Sequence, residues 1–473
     1  MRGSASVAKS APLPISGFIE FLPEQQLILQ EFIRRIRAAY ELHGFSPIET
    51  PAVERVEVLT SKGGEAAERE IYAISRLLGQ QDGAEASDSN LALHFDLTVP
   101  LARYVASYAS QLSFPFRRYQ IQKVWRGERA QAGRFREFYQ CDIDIIGREQ
   151  LSLLADAEMP AVIYDVFRSL AIGEFIIRIS NRKILQGFLR HYGVDRDTSA
   201  AGLRVIDKLD RHPPADWNKV LIAQTTLSPD VVERVTGFFF GAGGATAETL
   251  QWLKDHDANA DKDFALGVEE LGVVVKAVGE LGVPETHFKI DLRLARGLDY
   301  YTGTVFETLL VGHEAIGSIC SGGRYDDLTG FFADEKLPGV GISIGLTRLM
   351  AQLLDKKIVK PRASTPAKVL VTSLDKKHLP DYLKIANALR SANIATEVFT
   401  EEARLGKQLK YALRKGIPLV IIAGDQELSQ GQVQLKYLTE DFAQKDVEEI
   451  PLPEIAARVT EKLRVLGLCG IAW

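Results

Sequence analysis

"WRGERAQAGRFREFYQCD", residues 125–142, is the stretch of sequence that decides the fold. Strand-like residues flank its polar, glycine-containing centre, which predicts a long β-hairpin over residues 116–146. Successive side chains of a strand point to opposite faces, so the second arm has one mostly apolar face. The other face carries Arg136, Phe138, Gln140, Asp142 and Asp144. Taken alone, this face fits equally a solvated surface and the floor of a site for a flat polar ligand.

The segments around the hairpin predict a mixed α/β chain. Residues 23–43 have helical spacing, because their apolar residues recur at three- and four-residue steps. These residues are Leu29, Phe32, Ile33, Ile36 and Tyr40. Residues 44–59 are interpreted as one extended segment broken by two prolines. Residues 61–90 are interpreted as a loop containing one short strand.

The composition changes twice along the chain, which predicts its domains. Residues 181–287 alternate helical patterns with glycine, proline and aspartate, so we expect a helical insertion between two halves of a sheet domain, 18–180 and 288–356. A basic linker, 357–366, follows. Residues 367–473 alternate strand and helix, which predicts a small α/β domain with a mainly parallel sheet.

The whole-chain composition excludes several classes of protein. The 473 residues are 46% hydrophobic and 25% charged, with a net charge of −5, so any nucleic-acid contact must be local. No apolar run reaches the roughly 18 residues of a membrane span. The cysteines, Cys141, Cys320 and Cys469, are far apart and odd in number, and the histidines lack metal-ligand spacing. We therefore expect a cytoplasmic protein without a bound metal site. Residues 1–17 are interpreted as a disordered tail or expression scar rather than a presequence.

The hairpin sequence resembles motif 2 of the class II aminoacyl-tRNA synthetases. The resemblance implies that Arg126 holds the α-phosphate of ATP and that Glu128 binds the adenine amino group. It further implies that Arg134 meets the phosphate tail and that Phe138 stacks under adenine. "GVGISIGLTRL", residues 339–349, resembles motif 3, whose arginine is here Arg348.

Two further segments support the same family. "GFSPIETPAVE", residues 44–54, is similar to the looser motif 1 and implies a homodimer. Thr347 departs from motif 3, which usually has a glutamate at that position. The three motifs in this order are far more specific than any of them alone.

Three other segments resemble the histidyl-tRNA synthetases: "FDLTVPLARYVA" (95–106), "ARGLDYYTGTVFE" (295–307) and "SGGRYDDL" (321–328). The resemblance covers about residues 18 to 455. It implies that the ammonium of L-histidine is bound by Asp96, Thr98 and Gln140. It also implies that the imidazole lies between Asp144 and Tyr301, with Tyr300 beside them.

The same resemblance assigns the chemistry to two arginines. Attack of the histidine carboxylate on the α-phosphate of ATP concentrates negative charge, which a fixed guanidinium stabilises. Arg296 is expected to contact both reacting groups, and Arg126, which shares the phosphate, also belongs to the histidine subsite. Mg²⁺ is expected with ATP.

Contact with histidine tRNA is predicted in two places. Lys407, Lys410 and Arg414 are spaced three and four residues apart, so one helix face is basic. Such a face is usually just solvated, but the resemblance of this domain to an anticodon-binding module favours phosphate contacts. In the hairpin loop, Arg129 and Gln131 lie where the family binds the acceptor end of the tRNA.

The implied fold is α/β: an antiparallel class II synthetase sheet with a helical insertion, followed by a three-layer α/β anticodon-binding domain. The implied activity is ATP-dependent ligation of histidine to its tRNA. The alternative is a non-catalytic paralogue that senses histidine or tRNA, or serves as a regulatory subunit. Such paralogues usually lose the arginines that do the chemistry, whereas this chain has Arg126, Arg296 and Arg348. A P-loop or Rossmann enzyme is rejected because neither glycine motif is present.

Overall fold

The computed structural model of this chain describes residues 13–61, 69–75, 90–129, 133–209, 212–241, 244–295, 301–326, 330, 332, 335–438 and 447–468. The chain divides into two compact units. The larger unit contains residues 1–19 and 34–356, and the smaller unit contains residues 20–33 and 357–473. Residues 1–12 of the predicted tail lie outside the described residues. Among the described residues, no helix is both long and apolar enough to cross a membrane.

The described residues of the larger unit form two β-sheets. Its strands are β1 (Ser46–Pro47), β2 (Val53–Arg55), β3 (Ala73–Ile74), β4 (Leu91–Leu93), β5 (Phe116–Trp125), β6 (Glu137–Ile146), β7 (Phe175–Asn181), β8 (Phe288–Ile290), β9 (Thr304–Leu310), β10 (Cys320–Tyr325) and β11 (Gly339–Gly345). The main sheet has the order β1-β5-β6-β11-β10-β9-β7-β8, and β2, β4 and β3 form a small second sheet.

The main sheet is antiparallel through its centre. The pairs β5–β6, β6–β11, β11–β10, β10–β9 and β9–β7 are all antiparallel. Within the described residues, only the edge strands pair in parallel, β1 with β5 and β8 with β7. The predicted hairpin and the predicted antiparallel sheet are therefore confirmed. The sheet places β6, β11, β10 and β9 side by side, so motif 2, motif 3 and the region following residue 300 meet on one surface.

Helices form the segment between β7 and β8 and also occur elsewhere in this unit. They are α1 (Pro23–Leu42), α2 (Val56–Thr60), α3 (Thr98–Tyr108), α4 (Leu154–Leu170), α5 (Arg182–His191), α6 (Arg196–Ile206), α7 (Trp217–Gln224), α8 (Pro229–Gly241), α9 (Thr246–Asp255), α10 (Lys262–Glu280) and α11 (Leu346–Asp355). The first of them, α1, begins in residues of the smaller unit and ends in this one. The five apolar residues predicted to share one face of α1 are all buried. Gly44 follows α1 with a positive φ of 74°, as a helix-terminating glycine does.

One prediction in this unit is wrong. Residues 44–59 were expected to be extended throughout, but the chain turns into α2 at Val56. Alternating valine and glutamate around this point has the period of a strand. A helix of five residues is too short to display the 3.6-residue period that would have distinguished it.

The smaller unit is a three-layer α/β structure. Its strands are β12 (Val369–Val371), β13 (Thr396–Val398), β14 (Leu419–Ile422), β15 (Gln432–Tyr437) and β16 (Val447–Pro451), and its helices are α12 (Leu379–Ser391), α13 (Leu405–Lys415), α14 (Asp425–Ser429) and α15 (Ile455–Val465). Val369 and Val371 pack with α12 and α15 on one side of the sheet. Leu370 packs with α13 on the other side, so alternate residues of one strand supply two cores.

The sheet of the smaller unit is mixed, so the predicted mainly parallel sheet is wrong. Its order is β13-β12-β14-β15-β16. β12 pairs in parallel with β13 and β14, whereas the β14–β15 and β15–β16 pairs are antiparallel. Residues 423–431 connect β14 to β15, and this connection is shorter than the dozen or so residues that a parallel crossover needs.

Candidate active site

A cavity of about 550 Å³ lies on the main sheet of the larger unit. Four separate parts of the chain line it: Glu70, the start of α3, the β5–β6 hairpin, and the region between Tyr301 and α11. Of the residues predicted from the sequence, it brings together Asp96, Thr98, Arg126, Glu128, Arg134, Phe138, Gln140, Tyr301 and Arg348. Residues that are more than 200 positions apart in the chain thus line one cavity.

The second arm of the hairpin forms the cavity floor because of its strand periodicity. Gln140 and Asp142 point into the cavity, whereas Cys141 and Ile143 point the other way and are fully buried. The Gln140 amide nitrogen donates to the Ser343 hydroxyl at 2.8 Å, across the β6–β11 pair. This hydrogen bond fixes the orientation of the amide, so its carbonyl oxygen faces Arg126, whose Nη2 lies 3.4 Å away.

Asp96 and Thr98 enter the cavity at the beginning of α3. Asp96 accepts a hydrogen bond from the Val99 N–H at 3.1 Å, as a residue capping a helix does. Burial raises the pKa of Asp96, while the Val99 N–H and the Arg126 guanidinium oppose the shift. The carboxylate therefore accepts hydrogen bonds from the backbone at the start of α3 and faces a cavity in which a cation would stabilise its charge.

Arg126 is held at the beginning of the hairpin loop by neighbours on both sides. Its Nε donates to the Phe95 carbonyl at 2.9 Å. Its guanidinium lies 5.2 Å from the centroid of the Phe138 ring, which is within the range of a cation–π contact. The backbone carbonyl and the ring together orient a positive charge into the cavity.

Two residues predicted to contact different parts of ATP contact each other. Arg134 Nη1 and Glu128 Oε2 form an ion pair at 3.1 Å. Half of the Arg134 side chain is exposed. Pairs this exposed contribute at most about 1 kcal/mol, so a competing ligand can separate them at little cost.

Motif 3 contributes Arg348 to the cavity, and the structure shows what the neighbouring Thr347 contacts. Arg348 Nη2 donates to the Ile316 carbonyl at 3.2 Å and lines the cavity. The Thr347 hydroxyl accepts a hydrogen bond from the Tyr139 N–H at 2.8 Å. Thr347 thus connects α11 to β6, the strand that forms the cavity floor, and so links motif 3 to motif 2.

Asp144 lines a smaller cavity of about 30 Å³, which we call the inner end of the site. The two cavities share Thr98, Asp142, Tyr301 and Ser343. The fully buried Arg118 forms an ion pair with Asp144. The Tyr325 hydroxyl donates to the other Asp144 oxygen at 2.9 Å. A Cβ at Gly341 would lie 2.1 Å from that same oxygen, so only glycine leaves room for this carboxylate.

The inner end is rich in carboxylates, and their pKa values reflect it. Burial raises the pKa of Asp142 to about 7, and Asp144 and Asp96 add to the shift, while Arg118 and a hydrogen bond from Ser343 oppose it. Burial also raises the pKa of Tyr301, and the nearby Asp144 and Asp142 raise it further. Tyr301 therefore stays a neutral phenol at physiological pH.

Four residues of this site were not predicted from the sequence: Asp142, Ser343, Arg118 and Tyr325. The hairpin register contained a signal for one of them, because Arg118 on β5 lies directly opposite Asp144 on β6. Asp142 had been assigned to the correct face of β6 without a role. Ser343 and Tyr325 reach the site because strands distant in the sequence pair with each other. A single sequence does not show which strands pair.

Several predicted residues lie elsewhere or outside the described residues. Arg296, Tyr300 and Gln131 belong to undescribed segments, and Arg129 is exposed in the hairpin loop. Lys407, Lys410 and Arg414 are exposed on α13 in the smaller unit. Within the described part of the chain, no group of histidine, cysteine, aspartate or glutamate side chains could hold a metal ion.

Comparison with known proteins gives a consistent result over both units. Residues 17–349 match the family model described as histidyl-tRNA synthetase, and residues 368–462 match the model of the anticodon binding domain. The chain is 46% identical over 456 residues to the histidine–tRNA ligase of Xylella fastidiosa strain M23, covering 94% of this chain and 97% of that one. It is 43% identical to the histidine–tRNA ligase of Nostoc sp. PCC 7120, covering 95% and 97%.

Solved structures agree with these relatives. The crystal structure of histidyl-tRNA synthetase from Nostoc sp. PCC 7120 superposes with a TM-score of 0.87 at 41% identity, covering 96% of this chain and all of that one. A Bacillus halodurans protein described as an ATP phosphoribosyltransferase regulatory subunit/histidyl-tRNA synthetase has a TM-score of 0.67 at 19% identity, covering 86% and 97%. At that identity the second likeness concerns the fold alone.

Proposed function

The chain belongs to the histidyl-tRNA synthetase family, and from this premise we propose that it is a histidine–tRNA ligase. It activates L-histidine with ATP to histidyl-adenylate and pyrophosphate, and then transfers histidine to the 3′-terminal ribose of histidine tRNA. The observation that carries this proposal is the cavity on the main sheet. Residues of motif 2, motif 3 and the segment around Asp96 line it together.

In this proposal the histidine backbone binds at the start of α3. The ammonium is shared by Asp96, Thr98 and the Gln140 carbonyl oxygen, which supply acceptors of three chemical types. The aspartate supplies the charge, and its raised pKa falls again when the ammonium arrives, because an opposite charge favours the ionised form. The imidazole then extends toward Tyr301 and the carboxylates of the inner end.

ATP is proposed to bind along the hairpin. Adenine stacks on Phe138, with Arg348 on its other face, and the α-phosphate is bound by Arg126. Glu128 and Arg134 separate from each other, so that Glu128 binds the adenine amino group and Arg134 the phosphate tail. Mg²⁺ would be bound together with the ATP phosphates, which is usual for this ion in nucleotide sites.

The adenylation step is proposed to be driven by positive charge at a fixed place. As the histidine carboxylate oxygen attacks the α-phosphorus, the bond to pyrophosphate breaks and negative charge grows on the phosphoryl oxygens. Arg126 is already oriented by the Phe95 carbonyl and the Phe138 ring, so it stabilises this charge without reorganisation. Arg296 has the corresponding role by family resemblance alone.

Histidine tRNA is proposed to contact both units. Lys407, Lys410 and Arg414 bind phosphates, and Arg129 and Gln131 contact the acceptor end. We further propose a cytoplasmic homodimer, with motif 1 at its interface. The proposed domain boundaries are those predicted from the sequence, with 181–287 as the insertion and 367–473 as the anticodon-binding domain.

The direct test of the ligase proposal is charging of tRNA. Wild-type protein with ATP and Mg²⁺ should attach labelled histidine to a transcript of histidine tRNA, and should leave transcripts of other tRNAs uncharged. Arg296→Ala should abolish charging while the protein still melts cooperatively. A folded wild-type protein that binds histidine and ATP but never charges the transcript would overturn the proposal.

A further inference from the structure

Arg136 directly precedes the cavity-floor strand β6, but its side chain binds other parts of the chain instead of facing a cavity. It is half-buried and borders neither of the two cavities. Its Nε donates to the Glu128 carbonyl at 3.1 Å, and its Nη1 makes a longer contact of 3.4 Å with the Ser16 carbonyl. One guanidinium therefore connects the hairpin loop to a segment more than 100 residues earlier in the chain.

That segment is a turn at residues 15–18. The Phe18 N–H donates to the Ile15 carbonyl at 3.0 Å, and Gly17 has a φ of 86°, which the third residue of a type II turn requires. The Arg136 N–H donates to the Gly17 carbonyl at 2.7 Å. The turn thus binds both the backbone and the side chain of Arg136.

A second segment contacts the hairpin loop from another direction. The Gly127 N–H donates to the Glu70 carbonyl at 2.6 Å. The ring of Tyr72, two residues further along, packs edge-on against Phe18 of the turn, with 6.4 Å between the ring centroids. The residue before Glu128 is therefore held as well, and the two holding segments contact each other.

Glu128 thus combines a fixed backbone with a side chain that has to change partners. Its carboxylate forms the exposed ion pair with Arg134 that ATP is proposed to separate. Its carbonyl accepts from a guanidinium, and such charge-assisted hydrogen bonds are stronger than those between neutral groups. The backbone of Glu128 can therefore stay in place while the carboxylate turns from Arg134 to a ligand.

We propose that Arg136 is a positioning residue of the nucleotide site, which holds the Glu128 backbone so that the carboxylate meets the 6-amino group of adenine. The turn at residues 15–18 supports Arg136 from the outside. This inference rests on the proposed function, because it assumes that ATP lies along the hairpin.

The expected consequence is a preference for a purine with an amino group. Purine riboside 5′-triphosphate has the ribose and phosphates of ATP but a hydrogen atom in place of that group, so it loses the hydrogen bond to the carboxylate. Without Arg136, the Glu128 backbone is no longer fixed. A displacement of about 1 Å is enough to weaken such an interaction strongly, so the two nucleotides should then bind more nearly alike.

The test measures the dissociation constants of both nucleotides by calorimetry, with Mg²⁺ and the full-length chain. Wild-type protein should bind ATP at least about tenfold more tightly than the analogue. Arg136→Gln should reduce this preference at least about threefold. Its kcat of pyrophosphate exchange at saturating ATP should stay within about threefold of wild type, because Arg136 is not proposed to touch the reacting phosphate.

A double-mutant cycle separates positioning from a general loosening of the fold. Glu128→Ala should remove the preference for ATP. Adding Arg136→Gln to it should weaken ATP binding by less than about twofold more, because Arg136 acts through Glu128. Equal weakening of ATP binding by Arg136→Gln in the presence and absence of Glu128 would overturn the inference.

Arg35→Gln is the matched control, because Arg35 is another half-buried arginine of the larger unit that donates to a distant backbone carbonyl, that of Ser169, and does not line the cavity. It should lower thermal stability without changing the preference. An unchanged preference in Arg136→Gln overturns the inference. Should that variant not fold, Arg136→Lys replaces it, because one ammonium cannot bind both carbonyls as the guanidinium does. A wild-type preference in Arg136→Lys then overturns the inference. Absence of exchange by a protein that shows the expected preferences would instead count against the proposed function alone.

Discussion

The cavity-floor strand β6 and helix α13 both carry charges with a proposed role in binding, but the charges of β6 are buried and those of α13 are exposed. On β6, Asp142 and Asp144 are at most 4% exposed, and the charge of Asp144 is matched by the buried Arg118. On α13, Lys407, Lys410 and Arg414 are exposed and none of them forms an ion pair with another described residue, whereas their neighbour Lys415 pairs with Glu397 at 2.7 Å.

This difference separates two kinds of recognition. Buried charges act over short distances in a medium of low effective dielectric, so each position matters individually and salt has little influence. Exposed charges are screened and contribute little to stability, but together they attract a polyanion. The first arrangement suits a small ligand of fixed shape, and the second suits the phosphates of an RNA.

The largest expected effect is that of Arg126→Ala on adenylation. Removing a preorganised positive charge from the cavity should lower kcat of histidine-dependent pyrophosphate exchange by roughly 100- to 1,000-fold. Arg148→Ala is the control, because Arg148 belongs to the same unit but pairs with Glu335 and does not line the cavity. Equal exchange by the two variants would show that Arg126 does not stabilise the reacting phosphate.

Asp142→Asn should change the pH dependence of stability. The pKa of Asp142 rises from 3.8 in its ordinary environment to about 7 in the fold, so the folded chain binds the extra proton between these values. Its contribution to stability is therefore full below about pH 4 and is lost as pH rises through about 7.

Replacing Asp142 by asparagine removes this loss, so the variant should gain stability relative to wild type as pH rises. The gain should reach a few kcal/mol at most, because one pKa unit corresponds to about 1.4 kcal/mol. Thermal melts of both proteins at about pH 5 and about pH 8.5 measure it. A difference in Tm that is the same at both pH values would mean that Asp142 titrates normally.

Removing the exposed charges of α13 should have a smaller and salt-dependent effect. The triple change of Lys407, Lys410 and Arg414 to alanine should raise the KM for tRNA on the order of tenfold at low salt, and less at about 200 mM salt. Pyrophosphate exchange should not change. The control replaces Lys376, Lys377 and Lys384, three exposed lysines of the same unit, and so removes the same net charge. An equal effect of both triple variants would assign the attraction to net charge rather than to this helix face.

The smallest effect is expected for Gly406→Ala, also on α13. A Cβ at Gly406 would meet nothing within 4 Å, and alanine favours a helix over glycine by up to about 1 kcal/mol. The melting temperature should therefore rise slightly with no change in charging. A loss of charging in this variant would indicate that RNA approaches the α13 backbone closely at this point.

The sequence predicted those parts of the structure that depend on local pattern. The hairpin, the buried face of α1 and the order of strands and helices follow from periodicity and from glycine and proline positions. The sheet of the smaller unit was predicted to be mainly parallel and is mixed, because strand direction depends on connection length and not on the composition of the strand.

Residues of both cavities were named from the sequence, among them Asp144 and Tyr301 at the inner end, but the partners of the inner carboxylates were not. Family motifs supplied Asp96, Arg126 and Arg348, which line one cavity. The pairing of Arg118 with Asp144, and hence the different surroundings of Asp142, depends on strand register and burial. Neither property is visible in the residue types alone, because an Asp-x-Asp segment on a strand does not indicate which acid is already neutralised.

Every role proposed for the cavity on the main sheet depends on activation of histidine with ATP at that place. ATP–pyrophosphate exchange with Mg²⁺ and without tRNA, performed with each of the twenty amino acids in turn, measures this activation. We expect exchange with histidine alone. No exchange with histidine, from a folded protein that still binds it, would rule out activation in this cavity and would identify the chain as a sensor that has kept the motifs of its family.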